Sequence, residues 1–474
     1  MTAGAGLSAG KRLAVLALVA VAARAITFGN PIVHVDEQFY LAAAKAMWGG
    51  AWPYADVWDR KPVGLFLLYL PPAALPLPYA IWAYQAVALA AAVASAFLID
   101  RLARRADWHA GALLVGAAYL LWINLAEGQG GQAPILYNPL VAGAALLIAH
   151  SHVSHGRAAA AMLLMGIALQ VKTSVVFEGA WFGLWLLWRH WQAHRRFVAT
   201  TGYAAQLAGV AMLPTASVAA VFAAAGRFEP WWYANVVSAL QRNPDPLPEQ
   251  LANLGGCVLI LSPLVAMAGL ALAEARRRGA SPPQLFLFGW LGAALFGLLV
   301  FGAWYEHYTL PVMVPACALS AWAMGEHRRV RRWALPLLAA VAIGGQATLA
   351  AKRHTRGGPG EFTAVVEAIG RGPGCLWVYS GYSLFYPASG RCRVSRYLFP
   401  SHLYRMREQG AIGVDQKAEV RRILAAQPAV IVMRQARGER PDIRSLVDAA
   451  IARDYRETAA LPLGAATVRV FQRR

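Results

Sequence analysis

Asp36 and Glu37 head the segment VDEQFYLAAAKAMWGGAWPYADVWDRKP (35–62), which closes on Asp59, Arg60 and Lys61. A carboxylate can take the proton of an acceptor hydroxyl, and a cation can neutralise the charge on a departing phosphate. Both kinds of group therefore stand within one short stretch between apolar runs, at a membrane boundary. Taken singly, Asp36 also reads as a helix N-cap and Lys61 as a cation reaching out from the apolar segment that follows it. Together they supply what group transfer from a lipid phosphate requires.

The surroundings of this stretch are those of a membrane protein. Of 474 residues, 58% are hydrophobic and 14% charged, outside the range of water-soluble globules. Runs long enough to cross a bilayer recur at about 12–28, 79–99, 109–125, 202–224, 251–273, 284–302, 309–324 and 333–350, with shorter ones near 138–150, 157–171 and 174–188. No small-residue cleavage site follows the first run, so it reads as a retained helix. Basic residues collect at Lys11-Arg12, 101–105, Arg157, 189–196, 276–278 and 328–332, which places those loops in the cytoplasm. The turns at 29–62, 127–137, 172–173, 227–249 and 304–309 then face outward. Four prolines in 63–78 mark that segment as lying along or dipping into the outer face rather than crossing it. The expectation is an all-α polytopic membrane protein of about 11 transmembrane helices, N-terminus inside, with a small C-terminal α/β domain outside.

The domain boundary falls at 351/352. Residues 1–351 form the transmembrane part and carry the first outer loop, 29–62. Residues 352–474 have short strand-like runs at 375–381, 429–435 and 466–474 between Arg-rich helical patterns. This tail holds 21 Lys or Arg against 10 Asp or Glu, so +11 of the chain's net +20 resides there. On an outer face that excess favours anionic lipid headgroups or an acidic acceptor glycan, and a merely solvated basic surface is the alternative. Cys257 and Cys317 fall in apolar runs as buried small hydrophobes. Cys375 and Cys392 lie in the tail, where a disulfide is permitted and would contribute roughly 3 kcal/mol. No zinc spacing, P-loop, GxGxxG or GxSxG motif is present, and nothing points to nucleic acid.

Within the first outer loop, LAAAKAMW (41–48) has the spacing of an amphipathic surface helix, with Lys45 and Trp48 suited to an interface. Gly49-Gly50 turns the chain, and Trp52, Tyr54 and Trp58 follow. The order Asp-Glu-x-x-Tyr (Asp36, Glu37, Tyr40), Gly-Gly, Tyr-x-Asp and Lys-Pro resembles the GT-C glycosyltransferases of family 39. That family includes the protein O-mannosyltransferases, the lipid A aminoarabinose transferases and the rhizobial lipopolysaccharide core galacturonosyltransferases. GIALQVKTSVV (166–176) and YEHYTLPVMVPACALSAW (305–322) resemble two later family segments, so the likeness spans roughly residues 10–325.

This resemblance implies an enzyme that moves a sugar from a polyprenyl-phosphate carrier to an outer-face acceptor with inversion, in the cytoplasmic (inner) membrane. Asp36 matches the general base of such enzymes, and Glu37 orients it or helps to bind a divalent cation. Lys61 matches the lysine on the carrier phosphate, with Arg60, Lys172, His307 and Tyr308 as further donor-phosphate candidates. Tyr40, Tyr54, Asp59, Glu127 and Asn138 are candidate substrate contacts. Many relatives carry a second carboxylate in the next outer loop, where this chain has Asn138-Pro139, with Glu127 nearer the preceding helix as an alternative that also reads as a solvated loop residue. The Phe228–Pro246 segment, with its clustered aromatics, is a candidate gate for acceptor or carrier. A transporter or flippase for a polyprenyl lipid or solute is the competing class, although no internal repeat supports it. Neither the sugar nor the acceptor (lipid A, lipopolysaccharide, another glycan or a protein) is legible from one sequence.

Overall fold

The computed structural model describes residues 6–474. Six helical stretches among these are long and apolar enough to cross a membrane: Leu77–Arg105, Phe197–Ala224, Leu247–Arg278, Pro282–Val300, Glu306–Gly325 and the stretch beginning at Arg328. Shorter apolar helices accompany them at Val63–Ala73, Ala112–Ala126, Ala133–Ile148 and His155–Leu169. This is a multi-pass membrane protein.

The chain forms two compact units. One comprises the chain up to Ile26, Ala86–Val218 and Pro246–Leu349; the other comprises Thr27–Gln85, Ala219–Asp245 and Ala350–Arg474. This differs from a division at 351/352, because the first outer loop groups with the tail. The physical reason is Trp58, whose side chain belongs to the tail's hydrophobic core with Trp377, Tyr379, Ile431 and Phe471. Its backbone amide also donates to Arg396 O at 2.9 Å.

In the first unit the helix Leu310–Gly325 is buried over nearly its whole length. It packs on Ala112–Trp122, Leu247–Arg278 and Pro282–Val300. Small residues permit this, as is general where lipid supplies no hydrophobic drive between helices. A Cβ on Gly111 would lie 1.9 Å from Ala321 O, and one on Gly325 would lie 2.4 Å from Gly111 N. Arg12 and Arg104 are more than orienting charges in cytoplasmic loops. Both reach the fully buried Asp100, each at 3.1 Å, and join the first helix, Ala9–Arg24, to Leu77–Arg105.

In the second unit, helix Val35–Trp48 packs against Val63–Ala73. Lys45 Nζ donates to Ala73 O (3.0 Å) and Leu75 O (2.7 Å), and Trp48 Nε1 donates to Leu70 O (2.6 Å). These bonds satisfy carbonyls that the last turn of a helix leaves open. The prolines at 71 and 72 are accommodated inside the end of this helix. Val35–Trp48 is not a one-sided surface helix either, since residues 37–44 are all buried.

The tail carries a four-stranded sheet in the order β1 (Leu376–Val378), β2 (Val430–Arg434), β4 (Ala466–Arg473), β3 (Tyr455–Leu463). The β1–β2 pair is parallel and the other two are antiparallel. β3 was not evident from the sequence: YRETAALPL lacks apolar alternation because this edge strand is mostly solvent-facing. Cys375 and Cys392 form a disulfide at the head of β1.

Replacing Gly325 by Val should overpack the 111–325 crossing and destabilise the protein by about 1–3 kcal/mol. Thermal unfolding of the detergent-purified protein should register a lower midpoint. Gly156→Ala, where an added Cβ meets nothing within 4 Å, should behave as wild type.

Candidate active site

Asp36 lies in the first turn of Val35–Trp48 but does not cap it. The N-cap is His34, in extended conformation, whose Nδ1 accepts from Asp36 N at 3.1 Å. Because Nδ1 is the acceptor, a neutral His34 carries its proton on Nε2. The Asp36 carboxylate is thus not the cap that its position suggested. It stands 3.9 Å from His34 Nδ1, with its side chain 17% exposed. Glu37 is fully buried. Tyr69 and Tyr84, whose rings lie 5.3 Å apart, stand close enough to feel its charge. Glu37 accordingly faces protein rather than solvent.

Tyr40 is one turn beyond Asp36 and therefore shares its helix face. Lys61 Nζ lies over the Tyr40 ring at 5.5 Å and 3.9 Å from Asp59 Oδ1. Asp59 also accepts from Lys61 N at 2.8 Å, an Asx turn that fixes the start of the next helix. Asp59 is buried and 3.6 Å from His402 Nε2, so it braces the lysine rather than meeting a substrate. Tyr54, buried at φ +70, donates its hydroxyl to Lys61 O at 3.0 Å and serves the same purpose.

Arg60 is committed to the fold. Its Nη2 donates to Glu408 Oε2 (2.6 Å) and Ala411 O (3.3 Å), its Nε donates to Ser238 Oγ (3.1 Å), and its guanidinium lies 5.1 Å from the Trp58 ring centre. Burial would raise the Glu408 carboxyl, but Arg242 and Arg60 hold it well below the usual carboxylate range. Arg60 is thus withdrawn from the phosphate-binding set proposed for it. The Phe228–Pro246 segment is anchored here as well, through Ser238 and Arg242.

In the other compact unit, Lys172 stands in extended conformation ahead of the 3-10 turn Thr173–Val175. Its Nζ lies 4.7 Å from the Tyr308 ring centre. Lys172, Tyr308, Ser174, Tyr137 and Glu178 line a cavity of about 70 Å³. Glu178 is buried and accepts from Trp290 Nε1 at 2.6 Å. It escaped notice in the sequence, although a lone carboxylate in an apolar helix is the usual mark of a functional residue. His307 stacks on Tyr305 in nearly parallel planes, 5.8 Å apart, with its Nδ1 4.0 Å from Glu127 Oε2. Glu127 is buried in left-handed conformation rather than solvated in a loop. Asn138 lies inside the Ala133–Ile148 helix, buried, donating to Tyr119 Oη (3.1 Å) and Leu310 O (3.2 Å). It holds helices together and is not a substrate contact.

No protein-family model matches this sequence, and no curated protein matches it. Solved structures do. ArnT from Cupriavidus metallidurans bound to undecaprenyl phosphate aligns with a TM-score of 0.66 at 14% identity, covering 97% of each chain. The apo state of the same protein gives 0.66 at 16% identity, again over 97% of each chain. The Archaeoglobus fulgidus oligosaccharyltransferase, tethered to an acceptor peptide containing the NVT sequon, gives 0.50 at 11% identity over 90% of this chain and 69% of that one. At such identities the likeness is one of fold, and the chain has the GT-C fold.

The buried His402 gives this region a pH response. Burial pushes its imidazole down to about 4, against the opposing pull of Asp59 and Glu408. An unfolded histidine titrates near 6.5. Its folded value is the lower one, so the unfolded chain takes up the proton first as pH falls. The stability tied to neutral His402 is complete above about pH 6.5 and is lost as pH falls to about 4, by about 3 kcal/mol at most. Unfolding midpoints measured from pH 7 to 4.5 should fall across that window, and His402→Gln should flatten the fall. Equal slopes for both proteins would refute this origin of the pH response.

Proposed function

We propose that this protein is an integral-membrane glycosyltransferase that moves a sugar from a polyprenyl-phosphate donor to an acceptor on the outer face of the cytoplasmic membrane. The observation that carries the reading is the placement of the Asp36 carboxylate at the head of a helix that His34 caps, one turn from Tyr40, the ring over which Lys61 lies. The GT-C fold, shared with an ArnT solved with undecaprenyl phosphate, supports the choice of donor. Basic loops on one side set the orientation, with the tail outside.

In this mechanism Asp36 accepts the proton of an acceptor hydroxyl, and the hydroxyl oxygen forms a bond to the anomeric carbon of the donor sugar. The bond from that carbon to the phosphate oxygen breaks on the opposite face. Its electron pair leaves with the polyprenyl phosphate, and the configuration inverts. Lys61 offsets the growing phosphate charge. In the other unit Lys172, held over Tyr308 beside the cavity of about 70 Å³, is a separate candidate for contacting the carrier phosphate, with His307 a further one. Glu37 and Asp59 fix the positions of Asp36 and Lys61.

Asp36→Asn should lower kcat by about 10²–10⁴-fold while retaining binding of undecaprenyl phosphate. The check is mass spectrometry of envelope glycolipids and glycoproteins from a deletion strain: a sugar missing there should return with the wild-type gene and stay missing with the variant. Restoration by Asp36→Asn would sink the base assignment. Lys172→Met should weaken undecaprenyl phosphate binding by about tenfold, the loss of one charge-assisted contact, as read by native mass spectrometry of the purified protein.

A further inference from the structure

The C-terminal end of β2, the loop after it and the first residues of β4 border a second cavity, of about 1010 Å³. Four arginines line it, Arg434, Arg437, Arg444 and Arg469, together with Gln435 and Thr467, and no carboxylate does. Two of the four are partly neutralised from behind. Arg444 is paired with Asp448 (2.8 Å) and Glu439 (3.4 Å), and Arg469 with Glu457. The other two have no carboxylate partner among the described residues. Arg434 is half-buried, its guanidinium 4.6 Å from the Tyr382 ring centre with Nη1 donating to Tyr382 Oη at 3.2 Å. That contact fixes its plane while using one of its five donors. Arg437 is exposed.

We propose that this groove binds an anionic saccharide, its carboxylate or phosphate groups on Arg434 and Arg437 and its hydroxyls on Gln435 and Thr467. The inference deepens the transferase reading by naming the chemical class of the acceptor, and rests on that reading for its purpose. Planar guanidinium groups match carboxylate and phosphate in bidentate geometry. The volume suits a ligand of several sugar rings, since drug-sized ligands fill pockets of roughly 300–1,000 Å³. A membrane surface is the poorer partner. Peripheral docking uses exposed apolar and aromatic side chains around the basic ones, and among residues 350–474 Met406 is the one large hydrophobic that stands exposed.

The test uses the full-length protein in phosphatidylcholine nanodiscs and calorimetric titration with tetragalacturonate, a glucosamine disaccharide bisphosphate and maltotetraose. One or both anionic sugars should bind, more weakly as salt rises, and maltotetraose should not. The tighter of the two anions then assigns carboxylate or phosphate as the recognised group. Arg437→Ala should cost about tenfold and Arg434→Ala/Arg437→Ala about a hundredfold, each arginine providing a charge-assisted contact. Unchanged unfolding midpoints would exclude misfolding. Binding of maltotetraose as tight as that of the anions, failure of both anions to bind, or undiminished affinity in Arg437→Ala would overturn the proposal. So would recruitment of phosphatidylglycerol vesicles that Arg437→Ala abolishes without affecting sugar binding. Asp36→Asn should bind tetragalacturonate as wild type does. A deletion strain whose envelope lacks no sugar would therefore remove the transferase reading and leave the groove, whereas loss of groove binding alone would leave the transferase reading and remove the groove.

Discussion

Burying Glu408 is the constraint on which the second compact unit depends. The carboxylate is 2% exposed, and a charge so placed is costly unless opposite charges surround it. Arg60 and Arg242 supply them directly, and Arg407, itself bonded to Asp245 at 2.7 Å, stands 3.8 Å away. Those arginines come from three chain segments far apart in sequence, so the ion cluster forces the first outer loop, the 238–245 segment and the tail into one body. Lys61 follows Arg60 directly. Its address is therefore set by a charge cluster that plays no part in chemistry, and removing Arg60 would unseat it while leaving Glu408 buried without its closest cation.

Both candidate phosphate-binding lysines are held by the same device. Lys61 lies over Tyr40 and Lys172 over Tyr308, each ammonium near a tyrosine face. An aromatic face stabilises a cation by about 0.5–2 kcal/mol without occupying an N–H donor along a fixed line, as a carboxylate would. Lys61 stands in addition 3.9 Å from Asp59 Oδ1, so its ring contact works beside a carboxylate. Arg60 has the opposite arrangement: its donors are taken up by Glu408, Ser238 and Ala411. Proximity in sequence placed Arg60 and Lys61 in one functional group, and their bonding separates them.

The legible parts of this chain were those written in local pattern. Apolar length marked the membrane helices, turn chemistry marked Gly49-Gly50, and three of the four strands were visible because they are apolar on both faces or alternate. Asp36 and Lys61 stood out as candidates for chemistry, since nothing in a bilayer requires them. What stayed hidden depends on contacts between distant segments. His34 gave no sign that it would cap the helix in place of Asp36, because Asp is the better cap by type and only the backbone geometry decides between them. Asn138 looked like a stand-in for an acidic loop residue. It proves to be a buried amide between Tyr119 and Leu310, bonds that no local rule reveals. Trp58 read as one of three loop aromatics, and its place in the tail's core follows from residues more than 300 positions away.

The tail's positive surplus has a definite structural location. Its acids are largely engaged near at hand: Glu361 accepts from Gly358 N, Asp415 caps a helix, Glu419 binds Arg422, Asp442 binds Arg440 and Asp454 binds Arg453. Glu408 is neutralised from outside the tail, by Arg60 and Arg242. Charge that serves only to orient a chain in the membrane has no reason to respect such pairing, because insertion counts basic residues in short loops and ignores their partners. A folded domain that matches its acids one by one leaves two of its unmatched cations, Arg434 and Arg437, together on the wall of one cavity whose lining includes no acid. In a concave wall those charges reinforce one another. Their mutual repulsion opposes folding, and an anion that offsets it binds more tightly for that reason.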